Sequence, residues 1–277
     1  MSTKERSRFA VVQVTSTEEV GENLAQAAAL VRRAADAGAE LVALPENVGY
    51  LRHTSVEAYA EPIDGRIATH FRELARELGC HVLLGSFPEQ SESPTKAYNT
   101  SLLIDGAGEI VARYRKLHLF DIEIPGRESH RESDRVLAGG DVVTCDTPFG
   151  RLGLSICYDL RFPELYRALT LQGAEVIFVP AAFTLTTGKD HWLALLRARA
   201  IENQVYVVAP GQFGFHGGKR ISYGHSVIID PWGIVLAQVG DQTGFAIAEI
   251  DRQQQRSIRQ QIPCLGHRHR LFGGEKA

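Results

Sequence analysis

Three side chains with complementary chemistry each follow a run of residues that predicts a strand, and the runs before Cys157 and Glu46 are apolar. Cys157 follows residues 152–156, Glu46 follows residues 41–45, and Lys116 closes a run that begins at residue 109. A thiolate is a strong nucleophile, a carboxylate can carry a proton, and an ammonium can stabilise an oxyanion. Taken singly, a structural cysteine or a solvated charge explains each of them better, so only their combination indicates a site.

The sequence around Cys157 predicts a sharp connection between a strand and a helix. The apolar run ends at the cysteine, and Arg-Phe-Pro-Glu-Leu at residues 161–165 opens a helical pattern. Such an elbow exposes a side chain at the carboxyl edge of a sheet, where α/β proteins usually build their sites. A helix N-terminus or a nearby cation lowers the pKa of a thiol, so we expect a reactive thiolate here.

The elements that must position these side chains follow an α/β rhythm. Short β-branched runs alternate with amphipathic helical segments at both ends of the chain, and several strand-like runs lie between them. Gly-Ala-Glu closes a helix and enters a strand at residues 38–40 and again at 173–175. This echo is either coincidence, since helix-Gly-strand junctions are common, or the trace of two similar halves. Two such halves with paired sheets and outer helices would form a four-layer α-β-β-α sandwich.

We expect residues 1–277 to form one domain with an extended C-terminal arm from about residue 260 that packs on a neighbour. Single α/β domains often reach this length. The polar segment 123–140 has no periodicity and predicts a functional loop.

The composition disfavours several classes of function. The chain is 44% hydrophobic and has a formal net charge of −3, without a basic stripe that would suit nucleic acid or anionic lipid. The apolar run 9–14 is too short for a signal peptide or a membrane span. Four scattered cysteines without a CxxC pair favour a reducing, cytoplasmic location. We therefore expect no nucleic-acid partner and no membrane association.

Two other hydrolase chemistries fit the residues less well. Gly153 and Ser155 begin a nucleophile-elbow motif for a serine hydrolase, but Cys157 stands where its second glycine belongs. The ten histidines include no HExxH pair, and His267 and His269 lack a third ligand at a familiar spacing, so we expect no metal.

Five segments together resemble successive signatures of the nitrilase, or carbon-nitrogen hydrolase, superfamily. They occur in the order of that family and span most of the chain: LPEN at 44–47, YRKLHLFDIEIPG at 114–126, GLSICYDLRFPEL at 153–165, LLRARAIENQVYVV at 195–208 and YGHSVIIDPWG at 223–233. The resemblance implies the four-layer sandwich and at least a homodimer. A catalytically silent scaffold on this fold would be expected to have lost one of the three positions, and none is lost.

The resemblance also implies the roles of the site residues. Cys157 is the expected nucleophile, Lys116 the oxyanion partner and Glu46 the general base, with a thioester intermediate and neither metal nor cofactor. The second glutamate of the family falls at Glu132, although Glu128 offers a rival alignment. Cys80, Cys145 and Cys264 match no catalytic signature.

The expected substrate is a small amide that carries a carboxylate. The segment Cys-Tyr-Asp-x-Arg-Phe-Pro-Glu-Leu resembles the branch that contains deaminated glutathione amidase and omega-amidase, whose substrates are amides of 2-oxo acids. We expect deaminated glutathione; the alternatives are 2-oxoglutaramate, an N-carbamoyl amide or a nitrile. Four residues are expected to bind substrate, of which Tyr158 would also donate its backbone N–H to the oxyanion, whereas Arg161 fits either a substrate carboxylate or a structural salt bridge. Phe183 and Thr184 either line the pocket or merely end a strand.

Overall fold

A computed structural model describes residues 3–52, 59–126 and 128–269 of the chain. The α-helices of these residues are α1 (Val20–Asp36), α2 (Arg66–Leu78), α3 (Pro163–Leu171), α4 (Leu185–Asn203) and α5 (Arg252–Gln261). The first strands are β1 (Arg6–Gln13), β2 (Leu41–Ala43), β3 (His81–Gln90), β4 (Ala97–Ile104), β5 (Ile110–Arg115), β6 (Asp121–Ile124), β7 (Glu128–Arg131), β8 (Val136–Leu137) and β9 (Thr144–Thr147). The remaining strands are β10 (Gly150–Leu154), β11 (Val176–Phe178), β12 (Tyr206–Ala209), β13 (Phe213–Gly217), β14 (Arg220–Tyr223), β15 (Val227–Ile229), β16 (Val235–Gln238) and β17 (Gly244–Asp251).

Two sheets carry the fold, and their central strands repeat one pattern. The first sheet has the order β17-β1-β2-β3-β4-β5, with β8 also paired to β4, and the second has the order β16-β15-β12-β11-β10-β9. In the first sheet β1, β2 and β3 run parallel, and in the second β10, β11 and β12 do so. The parallel strands are joined through α1 and α2 in one half and through α3 and α4 in the other.

The repeated Gly-Ala-Glu tripeptide has the same conformation in both halves. Gly38 has φ 89° after α1, and Gly173 has φ 92° after α3. The following alanines, Ala39 and Ala174, donate backbone hydrogen bonds to Ala34 and Leu169 inside the preceding helices. Each tripeptide therefore closes its helix with a left-handed residue that glycine adopts without strain and then enters a parallel strand.

The burial pattern orders the layers of the sandwich. Successive residues of β1 point to opposite faces of the first sheet. Ala10 and Val12 pack toward α1 and α2, whereas Phe9 and Val11 pack against the second sheet. The rings of Phe9 and Phe178 stack between the two sheets with centroids 6.1 Å apart. The helices α3 and α4 cover the outer face of the second sheet. The predicted four-layer α-β-β-α sandwich is confirmed.

Two segments contain regular structure that the sequence does not predict. The segment 123–140, expected to be a loop, includes part of the hairpin β6-β7, a 3-10 turn at Glu132–Asp134 and the short strand β8. The helix α5 lies in a stretch with no apolar stripe, where its buried side chains are Gln255 and Ile258. Among the described residues, no helix is both long and apolar enough to cross a membrane.

Candidate active site

Cys157 lies at the predicted elbow between a strand of the second sheet and a helix. The strand β10 ends at Leu154, Cys157 opens a 3-10 turn, and α3 starts at Pro163. The cysteine has φ 48°, a left-handed conformation that side-chain-bearing residues rarely adopt. Its backbone N–H donates to the carbonyl of Pro180 at 2.9 Å, which ties the elbow to the end of the neighbouring strand β11.

Glu46 reaches the site from the first sheet, just beyond β2. Gly85 packs directly against the backbone that leads to Glu46. A Cβ at position 85 would lie 1.9 Å from the carbonyl oxygen of Leu44, so a larger residue would displace this segment. The Oε2 atom of Glu46 accepts a hydrogen bond from the backbone N–H of Ala182 at 2.8 Å. Its own carbonyl accepts from the side chain of Gln212 at 3.0 Å. The carboxylate is therefore fixed by main-chain and side-chain contacts on both halves of the fold.

Lys116 follows β5 and lies between two carboxylates. Its Nζ is 2.9 Å from Glu46 Oε1 and 2.9 Å from Glu132 Oε2, and the side chain is only 1% exposed. An ammonium with two carboxylate partners remains charged even when it is buried, because each partner offsets the loss of hydration. A fixed positive charge thus lies beside Cys157.

Glu132 lies on the 3-10 turn after β7, within reach of Lys116. Its Oε2 also accepts the backbone N–H of Phe120 at 2.6 Å, which fixes the carboxylate against the strand end that carries the lysine. The side chain of the rival residue, Glu128, lies outside the described residues. The geometry therefore brings Glu132 together with Glu46, Lys116 and Cys157.

Asn99 is a further member of this cluster that the sequence does not indicate. Its Nδ2 donates to Glu46 Oε1 at 2.8 Å and to Glu132 Oε1 at 3.3 Å. Asn99 lies on β4, and its buried side chain bridges the two carboxylates through these hydrogen bonds. An asparagine in an ordinary strand carries no sequence signal of this role, because the contacts join residues far apart in the chain.

The pKa of the Cys157 thiol is raised, whereas the nearby cation led us to expect a lowered pKa. Burial and the negative charge of Glu46 raise it well above its ordinary value, and the Lys116 charge opposes them without prevailing. Hydrogen bonding with the Glu46 carboxylate adds to the raised pKa of the thiol. The sequence reveals the nearby cation but not the carboxylate and the burial that outweigh it.

The two oppositely charged partners keep their charges. Burial alone raises the pKa of Glu46, but the Lys116 charge and the hydrogen bonds from Lys116, Cys157 and Ala182 bring that pKa below its usual value. Burial lowers the pKa of Lys116, whereas the charges of Glu132 and Glu46 raise it well above the ordinary value. The site therefore holds an ionised base next to a neutral thiol, which suits proton transfer during attack.

A cavity of about 930 Å³ opens onto this cluster. Three of the four residues expected to contact substrate, Tyr158, Phe183 and Thr184, line it. The fourth, Arg161, is not among the described residues of the wall. Its guanidinium carbon lies 5.3 Å from the ring centroid of Phe183 and 5.8 Å from that of Tyr158. Arg161 therefore lies against the rings of two wall residues, and direct contact with a substrate carboxylate stays a prediction.

Other cations line the cavity. They form two groups: Arg131 and Arg135 next to Glu132, and Arg52, Lys219 and Arg220 near the hairpin β13-β14. One guanidinium nitrogen of Arg220 donates to the carbonyl of Arg52 at 3.0 Å, which joins two residues of the second group. No group of three or more histidine, cysteine, aspartate or glutamate side chains in the described parts of the chain is arranged to hold a metal ion.

Comparisons with known proteins agree with this geometry. The family model for carbon-nitrogen hydrolases matches residues 8–260. The chain is 48% identical over 263 residues to a deaminated glutathione amidase of Synechocystis, with 94% of this chain and 97% of the relative covered. It is 44% identical over 265 residues to the human deaminated glutathione amidase, with 94% and 81% covered. The crystal structure of the Caenorhabditis elegans NitFhit protein superposes with a TM-score of 0.91 at 42% identity, over 98% of this chain and 67% of that one. The chain belongs to the carbon-nitrogen hydrolase family and is an amidase.

Proposed function

We propose that this amidase hydrolyses deaminated glutathione through a thioester on Cys157. The observation that carries the proposal is that Cys157, Glu46 and Lys116, with Lys116 Nζ 2.9 Å from Glu46 Oε1, line one cavity whose wall also carries cations. The substrate has a carboxylate on its 2-oxo acyl half and another at the end of its dipeptide. Relatives at 44–48% identity that bear the name of this activity support the choice of substrate.

In the first step Cys157 attacks the amide carbonyl carbon. The Sγ–C bond forms while the thiol proton passes to Glu46, which already accepts its hydrogen bond. The carbonyl π electrons move to oxygen, and the ammonium of Lys116 and the backbone N–H of Tyr158 stabilise the oxyanion. Because the proton leaves as the bond forms, the site never needs a free thiolate in its buried, carboxylate-lined surroundings.

In the second step the tetrahedral intermediate collapses. The C–N bond breaks, Glu46 returns its proton to the leaving nitrogen, and the cysteinylglycine dipeptide departs as a neutral amine. The acyl group remains as a thioester on Cys157. Proton return is essential because an amide anion is a very poor leaving group.

In the third step water releases the acid. Glu46 takes a proton from water as its oxygen attacks the thioester carbon, and Lys116 again stabilises the oxyanion. As the C–S bond breaks, Glu46 returns its proton to the sulfur of Cys157, and 2-oxoglutarate leaves. Glu132 keeps Lys116 charged and in place throughout, and Asn99 donates hydrogen bonds to both carboxylates.

The test is a comparison of kcat/KM on four substrate types. We expect deaminated glutathione to be hydrolysed with a higher kcat/KM than 2-oxoglutaramate, and both to exceed N-carbamoyl amino acids and simple nitriles. The first two share an acyl half and differ only in the leaving group, so their ratio measures contacts on the leaving-group side of the cavity. A higher value for 2-oxoglutaramate would replace the proposed substrate and leave the amidase chemistry intact.

We also propose that residues 1–277 act as a single domain in a cytoplasmic homo-oligomer, at least a homodimer, with the C-terminal arm packed on a neighbour. The described part of the arm after α5 is a series of turns from Pro263 to His267. Light scattering of the chain with and without residues 262–277 tests the oligomer and the role of the arm. We expect the oligomer to be lost on truncation. Truncation that leaves the oligomer intact removes the arm from the interface.

A further inference from the structure

Asp159 is a fully buried carboxylate that occurs two residues after the nucleophile and plays no part in the proton transfers described above. Its Oδ2 accepts the hydroxyl of Tyr114 at 2.6 Å and the backbone N–H of Ile156 at 2.8 Å. Its Oδ1 accepts the backbone N–H of His118 at 3.0 Å and faces His118 Nδ1 at 2.7 Å. A carboxylate only accepts hydrogen bonds, so that ring nitrogen carries the hydrogen.

These four donors belong to the two segments that carry Cys157 and Lys116. Ile156 is the residue before the nucleophile. The hydrogen bond from its backbone N–H to the Asp159 carboxylate spans the start of the 3-10 turn. Tyr114 and His118 stand two residues before and two residues after Lys116. One carboxylate therefore fixes the main chain on both sides of the lysine and, at the same time, the turn that exposes the thiol.

The turn at Cys157 needs such a support. A left-handed conformation is strained for a cysteine, so the turn persists only where surrounding contacts determine it. Asp159 supplies one of them through Ile156 N–H, and its own backbone N–H donates to the Ile156 carbonyl at 3.0 Å. The turn is also held by the hydrogen bond from Cys157 N–H to the Pro180 carbonyl and by two hydrogen bonds from Arg199 to the Leu160 carbonyl.

We propose that Asp159 is a positioning residue that keeps the Cys157 thiol and the Lys116 ammonium at the separation needed to bind one carbonyl group between them. This inference rests on the proposed roles of those two residues. Nucleophile and oxyanion partner come from different sheets, and the carboxylate joins the elbow after β10 to the end of β5. A displacement of about 1 Å in such a pair can reduce turnover about 10²-fold.

The first test is Asp159→Asn, which keeps the size of the side chain but replaces one acceptor oxygen with a donor group. That group then faces the hydrogens of Tyr114 and Ile156 or those of His118. We expect kcat to fall about 10²-fold, as for a comparable misplacement, with KM changed much less, at a temperature where circular dichroism shows the variant folded. The rate at which iodoacetamide alkylates Cys157 should change as well. This rate is measured as the appearance of the alkylated tryptic peptide that contains Cys157.

Asp230→Asn is the matched control. Asp230 is also a buried aspartate, and its Oδ1 accepts two backbone N–H groups, from Trp232 at 2.9 Å and Ile234 at 2.8 Å, in a turn away from the cavity. Loss of these contacts should lower Tm without changing kcat in the folded protein. A fall of kcat in Asp159→Asn no larger than in Asp230→Asn at the same folded fraction overturns the positioning role.

Two substitutions of His118 keep the inference testable if Asp159→Asn fails to fold. In His118→Asn the side-chain amide can return a donor to the position of Nδ1, whereas His118→Leu cannot. The side chain is partly exposed and stacks on Phe162 with ring centroids 3.7 Å apart, so both variants are compatible with folding. We expect activity to fall clearly in the leucine variant and to recover in part in the asparagine variant; equal activities contradict the inference.

Cys157→Ala, measured beside these variants, separates two kinds of failure. Loss of activity in Cys157→Ala together with full kcat in Asp159→Asn and His118→Leu leaves the proposed chemistry standing and removes Asp159 from it. Retained activity in Cys157→Ala removes the proposed chemistry itself, and the positioning inference with it.

Discussion

The Oε2 atom of Glu46 accepts a hydrogen bond from the backbone N–H of Ala182 at a distance of 2.8 Å. Glu46 follows β2 of the first sheet, whereas Ala182 follows β11 of the second. The contact leaves Oε1 for Lys116 and Asn99 and directs the carboxylate toward the thiol. The Glu46 carboxylate is thus oriented by the half of the fold that carries Cys157.

Replacing Cys157 with alanine should abolish turnover and leave the protein folded. The change removes the attacking atom and one sulfur from a residue that is 8% exposed. Serine should not rescue activity, since the weakly acidic hydroxyl is a poorer nucleophile than a thiol in the same site. Amide hydrolysis is measured beside a thermal melt, and near-normal activity in the alanine variant would falsify the assignment of the nucleophile.

Glu46→Gln and Lys116→Met should each reduce kcat by roughly 10²–10³ or more, because each removes either proton transfer or oxyanion stabilisation. The losses should not multiply in the double variant, since the two side chains act on one transition state. Single-turnover rates of the two single variants and the double variant measure this. Independent multiplicative losses would indicate separate functions.

The same two substitutions should shift the acidity of Cys157 in opposite directions. The Glu46 charge raises the thiol pKa and the Lys116 charge lowers it. Glu46→Gln therefore lowers that pKa, so the thiolate forms at a lower pH, and Lys116→Met raises it further. Thiolate ultraviolet absorbance is followed against pH, with Cys157→Ala as the blank. Shifts of the same sign in both variants would show that another group controls the thiol.

Glu132→Gln should lower kcat, whereas Glu128→Gln should have little effect. Glu132 contacts Lys116 with both carboxylate oxygens, at 3.1 and 2.9 Å, and its charge is the largest favourable contribution to the raised pKa of that lysine. Neutralising it leaves the ammonium less firmly held, so a loss of about 10-fold or more is expected. Steady-state kinetics of the two isosteric variants decide between the glutamates, and a larger loss in Glu128→Gln reverses the assignment.

Neutralising Lys219 and Arg220 together should reduce kcat/KM for deaminated glutathione more than for 2-oxoglutaramate. Both residues line the cavity, and their charges suit the terminal carboxylate of the leaving dipeptide. The matched double variant Arg131→Met/Arg135→Met tests the cations next to Glu132. If the Lys219/Arg220 variant affects the two substrates equally, the dipeptide carboxylate binds elsewhere.

The positions of Glu46, Lys116 and Cys157 at strand ends are predictable from local sequence, because each residue follows a run that predicts a strand. The sandwich and the joint role of the three residues follow instead from the resemblance of five segments to the carbon-nitrogen hydrolase family. The helix α5 is not predictable in this way, because its contacts with the body come from side chains such as Gln255, which donates to the carbonyls of Glu175 and Gln204. Because polar side chains hold α5 against the body, its sequence lacks the apolar periodicity that predicts a helix.

The supporting residues of the site escape prediction for a related reason. Asn99 and Asp159 act through partners that lie about 40 or more positions away, or on another element, such as Glu46 for the first and Tyr114 for the second. The state of the Cys157 thiol likewise depends on how closely a carboxylate from the other sheet approaches. Local sequence carries the identity of each group, but their mutual distances come only from the packing of the sheets.

The cluster of Glu46, Lys116 and Glu132 contains two carboxylates and one ammonium, which gives it a net charge of −1 next to a neutral thiol. An anion adjacent to the reacting carbonyl meets repulsion there, whereas Arg52, Arg131, Arg135, Lys219 and Arg220 line other parts of the cavity wall. We therefore expect an amide whose carboxylate is several bonds from the carbonyl, as in a 2-oxoglutaryl group, to be hydrolysed faster than oxamate, in which the two groups are adjacent.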